Sequence, residues 1–281
     1  MFDLGSLLTN VSNSAVTQPI PLSITTSTSP EQFWISTGVA LLVGGGIFCI
    51  PMLMGKGNPI KKAKAINAFS KLTGRQTLVI DHSKASLFKP AMIDNGTVTT
   101  ILNAMDKLQG RDFNMILNSG GGQVFSSQLI SDAMQKYKGR IEVYIPKYGM
   151  SGATLLALSG SNIHMTDYSS LGMLDAQIGS ILSQGPAAGW DEIVKLKGAR
   201  ANDNSILHSR LGKQVTNSLR ENVFNLVKNK TPRAEQVVSF LTSGDREHIY
   251  QVKKSKMLEM GFNNIVSITP QENRLLLEIV G

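Results

Sequence analysis

The sequence predicts an α/β fold in which helices are layered on a parallel sheet, with an N-terminal transmembrane helix. Three observations point to this fold class. Apolar, strand-like segments alternate with helical ones at the spacing of βα units. An uncharged run of 22 residues near the N-terminus is long enough to cross a bilayer. Two of the predicted strands lead directly into glycine-rich turns, which marks these turns as candidate functional loops.

The N-terminal region is interpreted as a tail followed by a membrane span. Residues 1–32 are rich in Ser, Thr and Asn and are expected to form a flexible extracytoplasmic tail. Residues 33–54 are interpreted as the transmembrane helix, with Trp34 at one interface and basic residues beyond the other. The basic residues follow the apolar run instead of preceding it, which disfavours a cleaved signal peptide. The positive-inside rule then predicts a single-pass protein of the cell membrane, with its N-terminus outside and its globular part cytoplasmic.

The positive charge of the chain is concentrated after the predicted span. The 28 basic and 20 acidic residues give a net charge of +8, and no Lys or Arg precedes Lys56. Residues 55–75 contain six basic residues and no acidic one, and we interpret them as a basic juxtamembrane linker or amphipathic helix. A local block of this kind does not favour a nucleic-acid partner, which would require a basic face with interleaved aromatics. The only cysteine, Cys49, excludes an internal disulfide and a cysteine-based zinc site, and neither metal nor cofactor is expected.

A globular domain is predicted over residues 76–281, because 42% of the chain is hydrophobic and only 17% is charged. Its predicted strands cover residues 76–81, 114–117, 141–145, 162–165 and 264–268. Its predicted helices cover residues 95–108, 126–137, 153–158, 205–227, 232–241 and 253–260. The first of these helices has the i, i+3, i+4, i+7 apolar spacing of an amphipathic helix. The glycine- and serine-rich residues 178–189 are expected to form a loop.

The first candidate loop is the glycine run that follows the strand at residues 114–117. Asn118 and Ser119 precede three successive glycines, and glycine lets backbone N–H groups approach a ligand closely. The spacing fits neither a phosphate-binding P-loop nor a dinucleotide fingerprint. It suits the donors of an oxyanion hole, which acyl-transfer chemistry needs, although for the glycine loop alone an ordinary tight turn is the commoner explanation.

The second candidate loop is a serine turn about thirty residues further on. Gly149 and Gly152 bracket Met150 and Ser151, between a predicted strand and a short apolar helix. Several hydrolase folds expose a nucleophilic serine on a turn of this type. Taken alone, Ser151 is better interpreted as a helix cap. Because one βα unit and a strand separate the two loops, they could face the same point, which favours the nucleophile.

The two loops together resemble a known family. The pairing of NSGGG at 118–122 with GMSGATLLALSGSNIHMTDYSSLGMLDAQ at 149–177 resembles the Clp-fold serine proteinases, in particular the serine dehydrogenase proteinase family. The resemblance continues through LTSGDREHIYQVKKSKMLEMG at 241–261. It implies a Clp/crotonase-like fold of stacked β-β-α units, a homo-oligomer, and protein or peptide substrates.

The resemblance also implies roles for individual residues. Ser151 would be the nucleophile, and the N–H groups of Gly121 and Gly152, with Gly122 close by, would form the oxyanion hole. Asp175 lies in the loop that carries the catalytic histidine of Clp protease, but no histidine stands there. The chain departs from the family pattern in that Gly120, Met173 and Ala176 stand where the family usually has proline. Gly152 and Ala153 also invert its usual Ala-Gly order.

The proton acceptor for Ser151 is left open by the sequence. Lys213 is a candidate by analogy with the signal peptide peptidases, which take a lysine from a later helix. His248 matches a histidine of the family, and Asp175 could orient a base or act as one. His164 and His208 are interpreted as ordinary core or surface residues, and His82, which follows the first strand, is assigned no partner.

These inferences combine into a membrane-anchored serine peptidase that cleaves peptide bonds through Ser151. The alternatives are a catalytically inactive Clp-fold membrane scaffold and a crotonase-like acyl-CoA enzyme. The missing histidine favours the scaffold, and the absence of an acidic pair in the expected loops disfavours the acyl-CoA enzyme.

Overall fold

The structure of the chain is a computed structural model that describes residues 39–40, 59–82, 91–179 and 185–281. Its elements, in chain order, are β1 (Val39–Ala40), α1 (Pro59–Thr73), β2 (Gln76–Asp81), α2 (Asn95–Leu108), β3 (Phe113–Asn118), α3 (Val124–Lys136), β4 (Ile141–Ile145), β5 (Tyr148–Gly149), α4 (Gly152–Ser159), β6 (Asn162–Met165), β7 (Ser170–Leu171), β8 (Gln177–Ile178), β9 (Gly185–Pro186), α5 (Ala187–Lys197), a 3₁₀ turn (Gly198–Arg200), α6 (Asp203–Val227), α7 (Ala234–Thr242), β10 (Val252–Lys253), α8 (Lys254–Glu259), β11 (Ile265–Ser267) and α9 (Pro270–Val280).

A six-stranded sheet organises the described residues. Its strand order is β1-β2-β3-β4-β6-β11, and all neighbours pair in parallel except β1, which runs antiparallel to β2. Every residue of β3 and β4 is buried, as expected for strands covered by helices on both faces. The predicted parallel α/β sheet is therefore confirmed. The carboxyl ends of β2, β3 and β4 meet at one edge, where both candidate loops begin.

Helices cover both faces of this sheet. On one face, α2, α3, α4, α6 and α7 enclose the larger core, which includes Ile101, Leu155 and Val223. On the other face, α1 and α9 pack together over Ile116 and Tyr144. The arrangement is a layered α/β fold with helices on both faces of the sheet.

Helix α1 lies within residues 55–75, which were expected to form a basic juxtamembrane linker or amphipathic helix. Ala65, Ile66 and Phe69 form one apolar stripe between the lysines, and all three are buried against the sheet. The Phe69 and Tyr144 rings meet edge to face at 4.9 Å, and Lys62 Nζ lies 2.9 Å from Asp81 Oδ2. The packed domain therefore begins at α1, before the predicted boundary at residue 76.

The N-terminal predictions fall largely outside the described residues. Residues 1–32 are outside them, and only β1 represents the predicted span at 33–54. These two residues are extended and pair with Ile80 and Val79 of β2. Within the described ranges, no helix is long and apolar enough to cross a membrane. The transmembrane helix and the tail stay predictions.

The second half of the chain contains two helices, α5 and α9, that were not predicted. Residues 178–189 were expected to be a loop, but β8 and β9 form a short ladder across them and α5 begins at Ala187. Helix α5 packs on α6 at Gly212, where a Cβ would lie 2.9 Å from the Ala187 Cβ. The predicted helices that correspond to α6, α7 and α8 and the strand β11 are confirmed. Helix α9 was not predicted.

Candidate active site

A small sheet joins the two candidate loops. Strand β5 pairs in parallel with β7, which pairs antiparallel with β10. On its other side, β5 is bridged by Ser119, whose N–H donates to Tyr148 O at 3.1 Å. Met150 N–H in turn donates to Ser119 O at 2.9 Å. Backbone hydrogen bonds therefore hold the glycine loop directly against the serine turn.

Ser151 stands at the beginning of α4 in a strained backbone conformation. Its φ is +49° and its ψ is −125°, although it is not a glycine. A non-glycine residue held at positive φ outside a regular turn costs about 1–3 kcal/mol, and such residues cluster at functional sites. The Ser151 hydroxyl does not cap the helix, and it forms no hydrogen bond with any other described residue. The helix-cap interpretation is therefore wrong, because the hydroxyl is left free.

Thr154 holds this turn in place from below. Its hydroxyl donates to Gly149 O at 2.7 Å, and Thr154 Oγ1 accepts the Gly172 N–H at 2.9 Å. Ala153 N–H closes the turn on Met150 O at 2.9 Å. The helix that follows is buried at every residue from Gly152 to Leu158, so the turn cannot relax without disturbing the core.

The glycine loop can approach Ser151 only because it lacks side chains. Gly121 has a φ of +102°, and a Cβ there would lie 2.6 Å from Met150 O and 2.7 Å from the Ser151 Cβ. A Cβ on Gly122 would lie 2.2 Å from Ile93 O, since Ile93 is bridged to Gly122. Both contacts are shorter than any van der Waals approach. The two candidate loops thus meet at one point, as predicted.

Two backbone donors beside Ser151, those of Gly122 and Gly152, stand out in the described part of the site. Gly121 N–H, which was expected to serve in an oxyanion hole, donates to Ser119 Oγ at 3.1 Å. The N–H groups of Gly122 and Gly152 find no acceptor among the described residues. Gly152 begins α4, where the first N–H groups of a helix lack intrahelical partners. The occupied Gly121 donor could not be predicted, because it depends on where the Ser119 side chain points.

A narrow cleft surrounds Ser151. Gly122, Gly152, Ser127 and Asp175 line it together with the apolar residues Val124, Leu155, Leu174 and Leu219. The cleft offers about 20 Å³, which is room for about one water molecule. Asp175 was predicted to lie here and does so. Ser127 was not predicted to belong to the site.

Asp175 is paired with His248. His248 Nδ1 lies 2.7 Å from Asp175 Oδ1, and Gln177 Nε2 donates to Asp175 Oδ2 at 2.5 Å. The Asp175 side chain is only 4% exposed, whereas that of His248 is 32% exposed. An ionised carboxylate only accepts hydrogen bonds, so the proton of a neutral His248 ring lies on Nδ1 and its Nε2 is an acceptor.

Lys213 does not line the Ser151 cleft, whereas His248, which does not line it either, is connected to it through Asp175. Lys213 Nζ lies 2.6 Å from Asp191 Oδ1, and its side chain is largely exposed. Hydrogen bonds from Lys195 and Lys213 hold the pKa of Asp191 well below its usual range. Lys213 borders a separate cavity of about 140 Å³ that shares only Asp175 and Ala176 with the cleft. The position of Lys213 along the chain made it a candidate base, but that position does not determine the direction of its side chain.

The remaining histidines have structural surroundings, with one exception. His164 Nε2 lies 2.7 Å from Glu142 Oε2, and its ring stacks on Tyr144 at 4.0 Å. His208 packs against Trp190, away from the cleft. These two interpretations hold. His82 differs, because its Nδ1 lies 2.9 Å from Ser119 Oγ in the glycine loop.

A serine on a strained strand-to-helix turn, with two unpaired N–H groups beside it, defines the type of site found in serine hydrolases. Residues 72–280 match the family described as ClpP-like SDH-type serine proteinase. This match covers more than half of the chain, and the chain therefore belongs to that family. The resemblance noted in the sequence is confirmed, and so is the Clp-like α/β fold that it implied.

The chain is also similar to individual proteins. An uncharacterized protein of Methanocaldococcus jannaschii is 28% identical over 244 residues, which span 83% of this chain and 81% of that protein. A second uncharacterized protein of the same organism is 30% identical over 172 residues, spanning 60% of this chain and 58% of its own. Two solved structures of mutants of the 1510-N membrane-bound stomatin-specific protease match 64% of this chain with a TM-score of 0.47 each. They are 15% and 16% identical, are covered over 77% and 73% of their length, and the second is in complex with a substrate peptide.

Proposed function

We propose that the protein is a serine peptidase that hydrolyses peptide bonds through Ser151. The observation that carries the proposal is the unpaired Ser151 hydroxyl on a strained turn, adjacent to two unpaired N–H groups. The strain cost of about 1–3 kcal/mol would be hard to explain at a residue with only a structural role. Membership of a serine proteinase family supports the same conclusion.

The backbone donors would stabilise the negative charge that develops during attack. When Ser151 Oγ adds to a peptide carbonyl, the carbonyl oxygen becomes an oxyanion that accepts hydrogen bonds from Gly122 and Gly152 N–H. A single donor of this kind contributes about 2.7–4 kcal/mol to transition-state stabilisation in other serine peptidases. The N-terminus of α4 adds its partial positive charge at the same place.

The Asp175–His248 pair is the proposed base. His248 would take the proton of Ser151 at Nε2 and later deliver it to the leaving amine, and Asp175 would hold the ring through Nδ1. This is the division of roles in serine peptidase triads, where a carboxylate orients the imidazole through Nδ1. Two observations support it: Asp175 lines the cleft with Ser151, and His248 is hydrogen-bonded to Asp175. Lys213 is already ion-paired with Asp191.

The location and assembly of the protein belong to the same proposal. The uncharged residues 33–54 would anchor it in the cell membrane as a single span, with the peptidase domain in the cytoplasm and the N-terminus outside. Proteins or peptides would be its substrates, and the chain would form a homo-oligomer. The support for the span is the uncharged run followed by basic residues. The support for the oligomer is the family resemblance alone.

Labelling with a fluorophosphonate tests the proposal. The full-length protein in detergent is incubated with the probe, and wild type is compared with Ser151→Ala and with the matched control Ser159→Ala, which changes a serine at the far end of the same helix. Labelling and cleavage of casein are expected to require Ser151 and to tolerate the change at Ser159. Labelling that persists in Ser151→Ala would refute the assignment of the nucleophile. A folded wild-type protein that neither labels nor cleaves would favour the inactive scaffold.

A further inference from the structure

His82 contacts the glycine loop through two hydrogen bonds. It follows β2 directly, beside the end of β3, and its backbone N–H donates to Asn118 O at 2.8 Å. Its ring Nδ1 lies 2.9 Å from Ser119 Oγ. Burial lowers the pKa of His82 and so favours the neutral ring, in which Nδ1 can accept a hydrogen bond. The His82 ring therefore contacts the glycine loop from the end of the neighbouring strand β2.

Ser119 connects His82 to the rest of the site. Its side chain is completely buried, and its Oγ accepts the Gly121 N–H at 3.1 Å. If Ser119 O–H donates to His82 Nδ1, the oxygen keeps its lone pairs for Gly121. Without His82, this hydroxyl would lose its acceptor in a place that water does not reach, and it would turn towards another partner. The nearest alternative is Gly121 O, at 3.5 Å.

The orientation of Gly121 decides which donor of the loop is free. With its N–H on Ser119 Oγ and its carbonyl accepting the Ile93 N–H at 2.9 Å, the Gly121 peptide groups are fixed on both sides. The next N–H along the chain, that of Gly122, is then left without an acceptor beside Ser151. A hydroxyl that bonds Gly121 O instead would compete with Ile93 and allow the loop to turn.

We propose that His82 is a positioning residue, which acts through Ser119 to fix the glycine loop with its Gly122 N–H aimed at the oxyanion. The inference rests on the proposed peptidase function. It assigns His82 no contact with the substrate. Its loss should therefore slow the chemical step at Ser151 and leave the affinity for the peptide unchanged.

Two substitutions of His82 separate this role from simple packing. His82→Leu introduces an apolar side chain of similar length that offers no hydrogen-bond acceptor. His82→Asn places an amide oxygen where Nδ1 stood. Fluorophosphonate labelling of the full-length protein in detergent gives the maximal inactivation rate and the probe affinity separately, and a peptide assay gives kcat and KM. We expect His82→Leu to lower the inactivation rate and kcat about 10- to 100-fold, with KM and probe affinity within about twofold, because one oxyanion donor is misplaced. We expect His82→Asn to recover to within about threefold of wild type.

The controls make the outcome decisive. His208→Leu, a histidine replaced away from the cleft, should behave as wild type. Ser119→Ala removes the hydroxyl without touching His82 and should reproduce the loss, and the double variant should be no slower than Ser119→Ala alone. A folded His82→Leu with unchanged inactivation rate, or a loss confined to KM, overturns the inference. If His82→Leu does not fold, an unchanged rate in Ser119→Ala overturns it. A wild-type protein that does not label contradicts the peptidase proposal itself, which is a different result.

Discussion

Gly152 and Ser127 are expected to depend on each other energetically. Gly152 stands where the resemblance led us to expect alanine, and the structure supplies a reason. A Cβ on Gly152 would lie 2.1 Å from Ser127 Oγ and 3.0 Å from the Ser127 Cβ. The first distance is about 1.2 Å inside the ~3.3 Å at which carbon and oxygen ordinarily touch. The Ser127 hydroxyl fills the space that an alanine methyl group would need.

The size of the effect follows from this overlap. Ser127 is buried, and its hydroxyl donates to Gln123 O at 2.9 Å. Overpacking of a buried site costs about 1–3 kcal/mol, so Gly152→Ala should lower the free energy of unfolding by about 2 kcal/mol. Ser127→Ala should cost only about 0.5 kcal/mol, because Gln123 O keeps its helical N–H partner. The double variant should lie within about 1 kcal/mol of wild type, which is a coupling of more than 1 kcal/mol.

A double-mutant cycle measures this coupling. Urea unfolding of the four proteins in detergent gives the stabilities, and fluorophosphonate labelling reports on the position of the Gly152 N–H. Gly152→Ala should label more slowly than wild type, and adding Ser127→Ala should restore most of the rate. A coupling below about 0.5 kcal/mol, the usual scatter of additive sites, would refute the packing argument.

Further substitutions test Ser151, its proposed base and the end of α4. Ser151→Gly should abolish labelling yet raise the free energy of unfolding by about 1 kcal/mol, because glycine adopts a φ of +49° without strain; a lower Tm would contradict this. His248→Gln should slow labelling by at least about 100-fold, whereas Lys213→Ala should stay within a few-fold, and the reverse ranking would transfer the role of base to Lys213. Lys230→Ala should destabilise by about 2 kcal/mol in urea unfolding, because Lys230 Nζ donates to Leu158 O and Gly160 O at the end of α4. Burial lowers the pKa of Lys230 from 10.5 to about 8, so between these values the unfolded chain binds more protons than the folded one. The free energy of unfolding of wild type, relative to that of Lys230→Met, should therefore rise from pH 8 to 10.

The strands and most helices could be predicted because burial imposes a regular pattern on them. The buried runs of β3 and β4 and the apolar spacing of α2 are properties of neighbouring residues. Helix α1 was harder to recognise, because six lysines and arginines around it suggested a membrane surface while three apolar residues determine its packing. Helix α5 follows a glycine-rich segment and buries only Ala187, so its sequence shows no strong apolar face.

The site could be predicted as far as its backbone, and less well in its side chains. Ser151 and the glycine loop follow from local sequence, since turns after adjacent parallel strands must meet. The sequence predicted that the Gly121 N–H would be an oxyanion donor. In the structure this N–H donates to Ser119 Oγ, a contact that no local sequence pattern indicates. A signal for His82 did exist: it follows Asp81, whose register partner in β3 is Asn118, so His82 must end beside Ser119.

The backbone ladder between Ser119 and β5 bears on how the catalytic geometry withstands thermal motion. Its two hydrogen bonds join Ser119 to Tyr148 and Met150, directly before Ser151, and the loop that carries the Gly122 donor starts from Ser119. Fluctuations of the large sheet or a shift of the outer helices therefore displace the Ser151 nucleophile and the Gly122 donor together. Their separation would be set by a few bond lengths of rigid peptide, and it would be insulated from the slower deformations of the domain.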